Sequence, residues 1–143
     1  MSELKIKKLT KTAITPCYAH QNDAGLDLFS DESRILAPGE FGMIKTGIAI
    51  GLMPGTEAQI RPRSGLAAKH GITVLNSPGT VDEGYRGEIC VILINHSKID
   101  FEIKNGMKIA QMVIAPVMKV KTEEKDELSI TKRGEGGFGS TGI

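Results

Sequence analysis

Tryptophan is absent from this 143-residue chain, and aromatic residues together make up only 4% of it. A core here must be filled by aliphatic side chains rather than by rings. Long apolar runs are missing too: no stretch approaches the roughly 18 residues that a membrane-spanning helix needs, so no membrane partner is expected. The opening MSELKIKKLT carries charge but no apolar segment, which predicts no secretory signal. Cysteine is scarce, and Cys17 and Cys90 read as reduced thiols of a cytoplasmic protein. Neither sign of charge dominates, since 18 Lys+Arg against 17 Asp+Glu leave +1. That argues against a dedicated nucleic-acid binder, whose footprint would be strongly basic. What the chain has in quantity is glycine, 17 of 143 residues, or about 12% against a usual ~7%. The backbone therefore turns often.

Helical periodicity of useful length is not found. Apolar residues fall instead in short runs: Leu4 to Leu9, Phe41 to Leu52, Ala58 to Ile60, Ile89 to Ile94 and Ile109 to Val120. The β-branched run at Ile89–Ile94 predicts a buried strand, and Pro116 predicts a strand edge or end. Turn pairs at Pro38-Gly39, Pro54-Gly55, Pro78-Gly79 and Asn105-Gly106 punctuate the runs. Many short strands of this kind predict an all-β jelly roll, sandwich or barrel. One exception is Ser64 to Gly71, a short helix with Ser64 as N-cap and Gly71 as terminator. A single domain over 1–143 is expected, with a β core at 1–120, a charged connector at 121–132 and a glycine-rich arm at 133–143.

Several fragments carry chemistry. The arm holds G-x-G-x-x-G at Gly134, Gly136 and Gly139, but a dinucleotide fold needs a strand before it and a helix after it. The bland reading is a flexible tail. Against it, Arg133, Ser140 and Thr141 among freed backbone amides suit a polyphosphate, and Phe138 offers a face for a base. Together they suggest a lid over a nucleotide. Pro62-Arg63-Ser64-Gly65-Leu66 reads as a plain turn into a helix, or as an anion site at a helix start. In Asn76 to Glu88, Asp82 follows apolar Val81 and is expected to face a cleft, where a carboxylate can take a proton from water. The alternative is an ordinary loop charge. Tyr85 would wall a small pocket. Ala24 to Leu28 reads as an acidic turn, and Gly106 to Gln111 opens a strand. Spacing among Cys17, His20, His70, Cys90 and His96 does not suit zinc, and Cys90 reads as a small core residue.

Taken in order, AGLDL (24–28), PRSGLA (62–67), NSPGTVDEGYRGEI (76–89), GMKIAQ (106–111) and RGEGGFGSTG (133–142) resemble the five motifs of the trimeric dUTPases. The chain departs from the common pattern at Thr80 and Gly84. The resemblance implies an all-β distorted jelly roll of the dUTPase-like β-clip type, with one short helix and a C-terminal lid. It implies a homotrimer with sites shared between subunits, splitting dUTP to dUMP and pyrophosphate with Mg²⁺ on the triphosphate. Such an activity keeps uracil out of DNA and supplies dUMP for dTMP synthesis. By position, Asp82 would activate the attacking water, and Asp27 would hold the metal through water. Ser64, Gly65 and Gln111 would contact phosphates, with Arg63 nearby. Asn76, Gly79, Thr80, Val81 and Cys90 would read uracil, and Tyr85 would pack under the sugar. Arg133, Gly137, Gly139, Ser140 and Thr141 would close from a neighbouring subunit, with Phe138 on the base. Alternatives are a dCTP deaminase-like enzyme and a non-catalytic module of the same fold.

Overall fold

Short apolar runs cut by glycine and proline give correspondingly short strands in the computed structural model, which describes residues 2–142. Met1 and Ile143, the outermost positions of the expected domain and arm, lie outside the described residues. The chain runs through β1 (Lys5–Lys8), β2 (Leu26–Phe29), β3 (Arg34–Leu36), β4 (Phe41–Lys45), β5 (Ile48–Gly51) and β6 (Thr56–Arg61). Then follow α1 (Ser64–His70), β7 (Ile72–Val74), β8 (Gly79–Val81), β9 (Cys90–Asn95), β10 (Phe101–Ile103) and β11 (Lys108–Pro116). The strands pair as a four-stranded sheet β2-β11-β6-β8, a three-stranded sheet β4-β9-β7, and the two-stranded ladders β1-β5 and β10-β3. The result is a jelly-roll-like all-β fold with one short helix.

Between the sheets lies one aliphatic core that includes Leu28, Leu36, Ile44, Ile48, Val91, Leu93, Ile103 and Met112. Phe101 is the one ring in this cluster among the described residues. Each fully buried side chain of this size contributes roughly 1.5–3 kcal/mol, so aliphatics suffice without tryptophan. Few polar groups are admitted: Asp27, Ser30, Thr46 and Asn95. Asn95 is fully buried and donates to the carbonyls of Leu36 (2.9 Å) and Ile99 (2.8 Å). Its Oδ1 accepts from the Ser97 amide (2.9 Å) and hydroxyl (2.7 Å), so nothing in the amide goes unpaired.

Several sequence expectations shift by a residue or a face. Phe41 to Leu52 is two strands, because the chain turns at Gly47 with φ +70°. β9 starts at Cys90 and alternates: Val91, Leu93 and Asn95 face inward, while Cys90, Ile92 and Ile94 stay half-exposed. A continuous apolar run thus conceals a one-sided strand. Ala24 to Leu28 is no turn from Leu26 on, since that half is β2 with Asp27 buried. Arg63, not Ser64, is the N-cap: its backbone is extended (φ −92°, ψ 130°), and its carbonyl accepts the first helical bond from Ala67 at 3.1 Å. Gly71 ends α1 in the left-handed conformation, as expected. β11 ends at Pro116, where the missing N–H stops the ladder.

Beyond it, the Val117 amide donates to Gly55 at 2.9 Å. From Met118 onward nearly every described residue is exposed, and the hydrogen bonds among them stay within the segment.

Candidate active site

The four-stranded sheet brings one group of predicted residues together. Asp27 on β2 stands opposite Gln111 on β11, which stands opposite Arg61 on β6. Directly paired residues point to the same face. Just past Arg61 the chain enters Pro62 and Arg63, so both reach this row. Gln111 Nε2 donates to the Pro62 carbonyl at 2.9 Å, fixing the entry to α1. A side chain at Gly25 would collide with Gln111 Oε1, so only glycine there leaves room for this arrangement. Asp27 is buried, with Arg63 Nε 3.9 Å from Oδ1 and Lys108 Nζ 2.8 Å from Oδ2. Oδ2 nevertheless lacks a well-directed hydrogen bond. The ammonium is close enough to offset charge but lies off the direction a hydrogen bond requires. Ser64 and Gly65 sit exposed on the first turn of α1.

A second group lines one cleft of about 270 Å³. Asn76, Gly79, Thr80, Val81, Asp82, Tyr85 and Cys90 all border it. Tyr85 OH donates to the Glu88 carbonyl at 2.9 Å, holding the ring against the hairpin. Asp82 borders the cleft, as expected, from an exposed position on its rim, where the cleft meets a second cavity lined by Glu57, Glu83 and Lys119. Cys90 is not a core residue but half-buried cleft wall. Burial pushes its thiol pKa up, Glu88 and Glu32 push the same way, and Lys45 opposes them. The thiol therefore stays neutral, an uncharged wall rather than a nucleophile.

This shift has a measurable consequence. Alkylation of Cys90 by iodoacetamide at pH 7.5 should be slower than that of a free thiol and should accelerate only above the ordinary thiol range, near 8.5. Equal rates at pH 7.5 would contradict it. A pKa raised in the folded state gives stability present below the unfolded value and lost as pH climbs past it.

The arm forms a third group, joined to neither of the others. Arg133 Nε donates to the Gly136 carbonyl at 2.9 Å, and the Gly134 amide to Thr131 Oγ1 at 3.0 Å. The Ser140 amide donates to Gly137 at 3.0 Å, and Phe138 is fully exposed with φ +50°. Arg133, Gly137, Phe138, Gly139, Ser140 and Thr141 form self-contained turns.

A family model for dUTPase matches residues 11–142, nearly the whole chain. The chain belongs to the dUTPase family. The deoxyuridine 5'-triphosphate nucleotidohydrolase of Clostridium acetobutylicum is 64% identical over 143 residues, covering 100% of this chain and 99% of that protein. That of Gloeothece citriformis is 66% identical over 141 residues, 99% of this chain and 97% of the relative. Among solved structures, the dUTPase of Staphylococcus bacteriophage 80alpha with dUPNHPP aligns at TM-score 0.94, with 29% identity and full coverage of both chains. A mutant dUTPase from phage phi11 of S. aureus, described with a structural Mg(II) ion, aligns at TM-score 0.84 with 26% identity, covering 90% of this chain and 100% of that one.

In this member of the dUTPase family, sequence reasoning passed over several cleft and pair residues. Lys108 sits inside the GMKIAQ fragment, yet its pairing with Asp27 follows only from the antiparallel register of β2 and β11. Met43 on β4, Ile60 on β6 and Ile92 on β9 complete the cleft. Ile92 was findable, because it lies two residues from Cys90 and so shares its face. Glu88 also borders the cleft, one residue beyond the glycine that follows Arg86.

Proposed function

We infer that the chain hydrolyses dUTP to dUMP and pyrophosphate, using Asp82 as the base for a water that attacks the α-phosphorus. The observation that carries this reading is the cleft that gathers Asn76, Gly79, Thr80, Val81, Asp82, Tyr85 and Cys90 around a volume of about 270 Å³. Its size suits one pyrimidine. β8 is the end strand of its sheet and pairs only with β6. Backbone groups on its other edge are therefore free to pair with a base. Fixed donors and acceptors there match uracil, while cytosine presents the reverse pattern at position 4. Unpaired groups of this kind can reject an analogue by ~10⁴–10⁵. Tyr85 leaves no room for a ribose 2′-hydroxyl.

In the reaction, Asp82 accepts a proton as the water oxygen bonds to phosphorus, and the bridging P–O bond breaks to release pyrophosphate. Arg63, Ser64, Gly65 and Gln111 hold the phosphate chain. Arg133, Gly137, Gly139, Ser140 and Thr141 close over it, and Phe138 covers the base, excluding water. No group of three or more His, Cys, Asp or Glu able to hold a metal occurs among the described residues. Asp27 is the carboxylate that would hold a hydrated Mg²⁺ through its waters; its Oδ2 is itself buried, 2.8 Å from Lys108 Nζ. Such an ion neutralises charge on the phosphates.

Strand register supports sites shared between copies, as in the proposed homotrimer. Asp27 and Asp82 are separated by three strand spacings of ~4.8 Å and about four residues of ~3.4 Å, or roughly 20 Å. They cannot serve one phosphate group within a single chain. In the proposed homotrimer the base comes from one copy and the Asp27 cluster from another. Two free cysteines suit a cytoplasmic setting.

The test is pyrophosphate release with Mg²⁺. Release from dUTP, with dTTP, dCTP and UTP spared, is expected. Ammonia release from dCTP would replace this reading with a deaminase.

A further inference from the structure

The hairpin from Asp82 to Gly87 is exposed throughout, and a side chain at Gly84 would meet nothing within 4 Å. Side-chain packing within the hairpin therefore does not place Asp82, although Val81 before it is buried and paired with Ala58. Something at the hairpin's two ends must. At one end Glu83 Oε1 accepts the Gly55 amide at 2.6 Å. At the other, Glu88 Oε2 accepts the Gly47 amide at 2.9 Å. Both glycines occupy left-handed turns, with φ +75° and +70°. These turns flank β5, whose Ile48, Ala49 and Ile50 are all buried. Carboxylate bonds to backbone N–H are charge-assisted and stronger than neutral ones. Each glutamate also adjoins a residue of the cleft: Glu83 follows Asp82, and the carbonyl of Glu88 receives the Tyr85 hydroxyl.

We propose that Glu83 and Glu88 are positioning residues that tether the hairpin to the turns on either side of β5, Glu83 setting Asp82 and Glu88 setting Tyr85. The proposal rests on the reading of Asp82 as the base. The tether works through an accepting oxygen at a given reach, so charge alone does not supply it. Glutamine keeps both the oxygen and the reach. Aspartate keeps the charge but falls one methylene short.

Steady-state kinetics with dUTP should therefore separate the variants. Glu83→Ala and Glu83→Asp should lower kcat by on the order of 10- to 100-fold, the usual effect of misplacing a reacting group. KM should stay within about threefold, as for an interaction made only in the transition state. Glu83→Gln should restore kcat to within about threefold. Glu88→Ala should instead raise KM and weaken rejection of UTP. Amide exchange on glycine-labelled protein gives a readout independent of turnover. The Gly55 amide should exchange faster in Glu83→Ala while Gly47 is unchanged, and Glu88→Ala should show the converse. Retained kcat in Glu83→Asp with loss in Glu83→Gln would overturn the proposal, because charge would then be the operative property. So would unchanged Gly55 exchange in Glu83→Ala. If wild-type protein ignores dUTP, or Asp82→Asn stays active, the reading of the site fails instead, and the exchange data still judge the tether.

Discussion

Asp82→Asn should cut pyrophosphate release from dUTP by on the order of 10²–10⁴, the contribution of a positioned general base. Affinity for a non-hydrolysable dUTP analogue should change little. Asparagine has nearly the same shape and can still accept a hydrogen bond from water, but it cannot take up the proton as the P–O bond forms. The exposed rim position of Asp82 means that no buried network depends on its charge, so folding should be unaffected. Calorimetric binding of the analogue together with a pyrophosphate assay decides the matter. Turnover near the wild-type level would require a different base.

Removing residues 133–143 should have an effect of similar size by another route. Arg133 and the hydroxyls of Ser140 and Thr141 would lose their approach to the phosphates. Loss of a single preorganised donor to developing charge commonly costs 10²–10³ in kcat, and the deletion takes several together. Stability should not follow. No hydrogen bond among the described residues joins this arm to the core, and Phe138 is fully exposed. The melting temperature and the sedimentation of the truncated protein should match those of the full chain. A large fall in melting temperature would mean that the arm is part of the fold.

Much of this molecule was legible in order along the chain and less so across it. The five fragments stand out because glycine, proline and charged residues interrupt apolar runs at short intervals. Gly71 and Pro116 end their elements for local reasons that any sequence displays. Facing is another matter. Cys90, Ile92 and Ile94 look like core because they are apolar, yet the open side of the three-stranded sheet leaves them half-exposed. Asp27 looked like a turn residue because the glycine before it suggests one. In fact Gly25 makes space for Gln111 from a strand more than 80 positions later. Lys108 and Asp27 likewise meet only through register. Contacts set by pairing between distant strands leave no periodic trace in either strand alone.

The spacing on the four-stranded sheet also bears on dosage. On the proposed reading, a chain with Asp82 and the Asp27 cluster about 20 Å apart, by strand geometry, would contain every part of a site and yet no complete one. In the proposed homotrimer catalysis would begin only when copies meet, so activity should rise more steeply than linearly with protein concentration at low expression. A damaged gene copy in a mixed population would spoil sites in neighbours that are themselves intact. Inheritance of a defect in an enzyme assembled as proposed would follow the assembly, not the individual polypeptide.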